Sequence, residues 1–204
     1  MIKSLLTTLL ATASLAHAAT VVDTGAPNGA AVGALAFDAV DWTAAQVSFA
    51  QASNVNAIQG HILGGAAGET FDVSLFASDA AHGPGTLLYT TTATFGSDGW
   101  NGAADLSGWT VAAGSYWVEF EIQGDDTLGA SSVTGALLDL GAPKPVALTA
   151  STGDGGFSYQ DDALSIGLRV DASAVSAVPE AASALQVMAG MLLLTTLGAV
   201  RRRR

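Results

Sequence analysis

The chain has 204 residues, 18 acidic against 7 basic side chains, a net charge of −11 and no cysteine. The acidic balance excludes a nucleic-acid binder, whose affinity comes from neutralised phosphates. The absence of cysteine excludes a disulfide framework, so any folded part must be held by its core.

Met1-Ile2-Lys3 is a short positive start, Ser4 to Leu15 an apolar run, and Ala16-His17-Ala18 a small-x-small site. That order predicts a secretory signal peptide over residues 1–18, too short for a permanent anchor, with cleavage between Ala18 and Ala19.

Residues 19–171 make one domain's worth of chain. From Ala19 to Ala177 lie all the acids but Glu180, and only Lys144 and Arg169 of the bases, a balance of −15 with neutral histidines. No window sustains a helical period. Alternation marks strands at Phe71–Phe76 and Tyr116–Ile122. Gln46–Gln51, Val55–Leu63, Leu87–Phe95 and Leu164–Val170 read as further strands. Glycine-rich turns separate them: Gly64-Gly65, Gly83-Pro84-Gly85, Ser97-Asp98-Gly99, Gly124-Asp125-Asp126 and Gly153-Asp154-Gly155-Gly156. Pro84 and Gly85 suit the centre of a type II turn. Short strands, one wet face and no helix predict an all-β, antiparallel β-sandwich, jelly-roll-like, as an exported ectodomain. Residues 172–177 read as a linker.

Candidate chemistry is sparse. His61 and His82 are the histidines left after cleavage, and no Cys/His cluster of zinc type exists. There is no Gly-x-Ser-x-Gly elbow. Asp98, Asn101 and Asp105 lie close in sequence, and Asp125-Asp126 follows Gly124. Such loops supply calcium oxygens, although Asp and Gly are also simple turn formers. No cofactor or metal is expected; calcium at these loops is the one alternative to their reading as turns. Trp100 and Trp109 flank a glycine-rich loop, and Trp117 alternates with Ser115 and Glu119 on the polar face of its strand. Either a loop or second layer covers Trp117 or it offers an apolar plate to a sugar; Trp100, Trp109 and Trp117 are the candidate ligand-binding residues. Glu119 and Glu121 leave that strand on one side. Same-face neighbours stand about 7 Å apart, within the range of a glycosidase pair.

The tail, residues 178–204, runs Val178-Pro179-Glu180, then the uncharged stretch Ala181–Val200, then Arg201, Arg202, Arg203 and Arg204. Twenty helical residues span about 30 Å, the hydrocarbon thickness of a bilayer. Arginines beside a span stay in the cytoplasm and stop transfer, so the ectodomain faces outward. Pro179 holds Val178 extended, a form suited to a protease. Short motif, apolar helix and arginine cluster together resemble the PEP-CTERM sorting signal, with Ala181 in place of the usual second proline. The resemblance implies processing by exosortase in the inner membrane of a Gram-negative bacterium, after passage through the Sec translocon. It implies a transient membrane anchor and a final place at the cell surface or outside the cell. The segment Phe71–Ile122 also looks like the exported β-sandwich modules that precede such tails. The expected function is a non-catalytic surface or matrix protein associated with extracellular polysaccharide; the alternative is a secreted polysaccharide hydrolase.

Overall fold

The computed structural model describes residues 18–28, 33–79 and 83–175. The residues before Ala18 expected to form a signal peptide, His82, the expected sorting motif Val178, Pro179 and Glu180, the expected transmembrane helix and Arg201 to Arg204 lie outside them. Among the described residues no helix is long and apolar enough to cross a membrane. The chain separates into two units, Met1–Ala174 and Val175–Arg204. All described strands belong to the first.

That unit is all-β. Its strands are β1 (Ala19–Asp23), β2 (Ala34–Phe37), β3 (Trp42–Phe49), β4 (Ser53–Leu63), β5 (Thr70–Ser78), β6 (Pro84–Thr94) and β7 (Gly99–Ala104). There follow β8 (Thr110–Val111), β9 (Gly114–Glu121), β10 (Ala136–Asp139), β11 (Thr149–Thr152), β12 (Gln160–Asp162) and β13 (Leu168–Ala174). They form two antiparallel sheets. One runs β1-β13-β4-β10-β2, with β7 and β8 also paired to β4; the other runs β12-β11-β3-β9-β5-β6.

Alternation explains the layering. Every second residue of β3 (Ala45, Val47, Phe49), β5 (Phe71, Val73, Leu75) and β9 (Val118, Phe120) points one way. These meet Val55, Ile58 and Ile62 of β4, Leu138 of β10, and Leu168 and Val170 of β13 in one hydrophobic cluster. Two antiparallel sheets with a shared apolar core are the arrangement of a β-sandwich. Gly60 of β4 lies where a Cβ would stand 2.8 Å from Cζ of Phe120, so the missing side chain admits the ring from the opposite sheet.

Three local expectations change. Pro84 and Gly85 are already in β6, and Gly85 is not among the glycines with positive φ, so the type II turn does not form. A Cβ on Gly85 would approach the Ala77 carbonyl at 2.9 Å, so a close strand contact fills that position. The last strand runs to Ala174, because Ala172 pairs with both Ala19 and Val55; Ala172 to Ala174 are strand and not linker. Short strands β1, β2, β7, β8, β10, β11 and β12 lack the alternation over four or more residues that marks a strand in sequence.

Candidate functional site

Trp117, Glu119 and Glu121 project from β9 away from the core, as their alternation predicts, but that face is not wet. Trp117 and Glu119 are 0% exposed and Glu121 is 2% exposed. A second, smaller apolar cluster covers them. It consists of Trp117, Ala44 and Ala150, with Phe76, Leu148 and Tyr159 packed against it. Small alanines on β3 and β11 leave the room that the indole fills.

The cover is the turn between β11 and β12. Asp154 shapes it: Oδ1 accepts from Thr152 Oγ1 at 2.6 Å and from the Ser158 N–H at 2.9 Å, and Oδ2 accepts from Ser158 Oγ at 2.6 Å. These bonds, the Ser158 hydroxyl foremost, hold the Asp154 carboxyl down at about 2. Gly156 (φ 84°) lies flat on Trp42, where a Cβ would meet the indole at 2.6 Å. Tyr159 then reaches inward, its hydroxyl 2.7 and 2.8 Å from Oε1 and Oε2 of Glu119. Burial pushes Glu119 up to about 8, with the neighbouring Glu121 charge adding to the rise. Glu119 is therefore mostly a neutral acid at pH 7, and both partners can contribute a proton to the contact. Burial and the Glu119 charge also raise the Tyr159 phenol.

Glu121 sits one pleat further along. Its Oε2 accepts from Gln123 Nε2, while Oε1 is buried without a hydrogen-bond partner. Burial raises it too, and also raises Asp72, its register partner on β5.

Beside the cover runs a cleft of about 420 Å³ between the β5–β6 hairpin and the turn. Phe76, Asp79 and Pro84 line one side; Phe157, Tyr159 and Asp161 line the other. Phe157 is 93% exposed. Neither Glu119 nor Glu121 lines this cleft.

The three tryptophans do not share a surface. Trp117 is sealed in the small cluster, which corrects the alternative of an open plate. Trp109 is 7% exposed in the main core and stacks on Tyr89 at 5.2 Å. Trp100 is half-buried on β7, opposite His61. The His61 ring meets it edge-on at 5.2 Å, and the Arg169 guanidinium lies 4.0 Å over its face. Arg169 Nε is also 3.4 Å from Asp23 Oδ1. His61 Nδ1 stands 3.0 Å from Asp139 Oδ2, an ion-pair distance without hydrogen-bond alignment.

The acidic turns act as turn acceptors. Asp98 Oδ1 accepts from the Gly64 N–H at 2.8 Å. Asn101 is buried; its Oδ1 accepts from the Gly96 N–H, and its Nδ2 donates to the Ser97 and Gly99 carbonyls. Asp105 adopts φ 55°, and Asp126 Oδ2 accepts from the Gln123 N–H, closing the turn that contains Asp125. Among the described residues no group of three or more His, Cys, Asp or Glu side chains is placed to hold a metal ion.

Asp79 carries no sequence signal of a site; the one signal for Phe157 and Tyr159 is that two aromatics fall within three residues of the Gly153–Gly156 turn. No family model and no curated protein matches this chain.

Proposed function

We propose that the protein is exported, trimmed at both ends and displayed as a non-catalytic surface or matrix protein associated with extracellular polysaccharide. The observation that carries this is the sequence pattern at the two ends: Met1-Ile2-Lys3, an apolar run and Ala16-His17-Ala18 at one, and Val178-Pro179-Glu180, an uncharged stretch and four arginines at the other. Cleavage after Ala18 leaves β1 intact, since that strand begins at Ala19. Glu119 is buried beneath Tyr159, whose hydroxyl bonds both of its carboxyl oxygens, and this supports a binding role over a catalytic one.

The test is processing in the native host. Mass spectrometry should find Ala19 at the N-terminus. Pro179→Ala with Glu180→Ala should leave insertion intact and block the exosortase cut. The uncut protein would then stay in the inner membrane, larger by roughly 20 residues, the length of a span. Identical size and location for wild type and double variant would leave only a permanent anchor. Calcium at Asp98, Asn101 and Asp105, or at Asp125 and Asp126, is a separate proposal. It requires that chelation lower the melting temperature relative to millimolar calcium.

One observation favours the hydrolase reading: a carboxyl held protonated near neutrality is what a general acid needs. That reading requires Tyr159 to swing off Glu119, and it predicts that Glu119→Gln abolishes any release of reducing sugar from the host's matrix polysaccharide.

A further inference from the structure

We propose that the cleft between the β5–β6 hairpin and the β11–β12 turn binds a glycan chain that carries free amino groups. The proposal rests on the polysaccharide reading above and names the site and the ligand chemistry. At about 420 Å³ the cleft falls within the size range of small-molecule and sugar sites. Phe157 stands almost fully exposed at its rim, with no described residue packed over it. With Phe76 and Tyr159 it supplies apolar plates for the C–H faces of pyranose rings.

Charge then selects among sugars. Asp79 and Asp161 are both exposed and line opposite sides of the cleft. Asp79 Oδ1 accepts from the Gly83 N–H at 2.7 Å. The Asp161 carboxylate has no hydrogen bond to another described residue. Among the described residues that line the cleft there is no lysine or arginine. The surrounding domain is strongly acidic, so its field concentrates cations and repels uronates. A ring with apolar faces and an ammonium substituent satisfies both features of the cleft; a neutral sugar leaves the two carboxylates unanswered, and an acidic one opposes them.

The probe is a glucosamine tetramer titrated calorimetrically into the full chain in detergent at pH 6, beside its N-acetylated form, a glucose tetramer and tetralysine. The glucosamine tetramer should bind, and each of the other three at least about tenfold more weakly, the size of effect a lost charge pair or a lost apolar contact produces. Phe157→Ala and Asp161→Asn, both exposed positions, should each cost a similar factor with unchanged melting temperature. Added salt should weaken binding. The proposal is overturned if the glucosamine tetramer does not bind, if an acetylated or neutral tetramer binds equally, or if both variants bind like wild type. Tetralysine binding as tightly would overturn it in favour of a basic peptide. None of these outcomes touches the processing reading, which is measured by cleavage alone.

Discussion

The Tyr159 hydroxyl lies 2.7 Å from Oε1 and 2.8 Å from Oε2 of Glu119, across 40 residues of sequence. One contact thereby ties the β11–β12 turn to the central strand β9 and closes the outer face of the six-stranded sheet over Trp117. Its energetic weight comes from burial: Glu119 is 0% exposed, and among the described residues the Tyr159 hydroxyl is the group that hydrogen-bonds its carboxyl.

Tyr159→Phe should therefore cost about 1–3 kcal/mol, the range for orphaning a buried polar group. Urea unfolding measures this directly. A Glu119→Leu background should shrink the penalty, because no carboxyl is then left unpaired; equal penalties in both backgrounds would mean the hydroxyl contributes nothing through Glu119.

Stability should also carry an unusual pH dependence. The folded pKa of Glu119 is raised from 4.5 to about 8. The folded state thus holds the proton more tightly than the unfolded chain. Its contribution is fully present below pH 4.5 and is lost as pH rises through 8, by at most about 5 kcal/mol. Glu121 and Asp72 are shifted the same way. Glu119→Gln should flatten the decline between pH 5 and 8, read as urea midpoint against pH. A wild-type midpoint that rises over that interval would sink the assignment.

Glu69 should behave in the opposite sense. Its carboxylate accepts from the Ser131 hydroxyl and from the Ala66, Gly129 and Ser131 N–H groups, which bring it down to about 2. A lowered carboxyl contributes stability above its unfolded value of 4.5, and that contribution is lost as pH falls toward 2. Glu69→Gln should shrink this acid limb, to which Asp154 also contributes, and leave the limb above pH 5 unchanged. Its cause is local: Glu69 clamps the residues 129–131 against the start of β5.

Asp154→Ala should loosen the cover while sparing the main core. Limited proteolysis would then cut between Gly153 and Tyr159, and acrylamide would quench Trp117 more readily, with little change in the main unfolding transition. Unchanged quenching would show that the turn holds its shape without the Asp154 bonds.

Between the sheets, Gly60→Val should destabilise by about 1–3 kcal/mol through overpacking, since its Cβ would stand 2.8 Å from a ring carbon of Phe120. A smaller residue at 120 should relieve part of that cost. An additive double variant would place the strain elsewhere.

The sequence by itself determined the class of the domain. The alternation at Phe71–Phe76 and Tyr116–Ile122 names strands because a side-chain period of two is a backbone property, readable without neighbours. The same holds for charge balance, for the absence of a Cys/His cluster and for the Gly153–Gly156 turn. Which face of β9 is wet was a different matter. Ser115, Trp117, Glu119 and Glu121 alternate with apolar residues just as a solvated face would. Only the tertiary structure decided that the turn between β11 and β12 folds back over that face, because Tyr159 and Glu119 are 40 residues apart and no local pattern links them. It likewise decided that Trp100, Trp109 and Trp117 part company: strand pairing sends one to each outer face and one to the core. Burial depends on what the rest of the chain places on top, and that is a long-range fact.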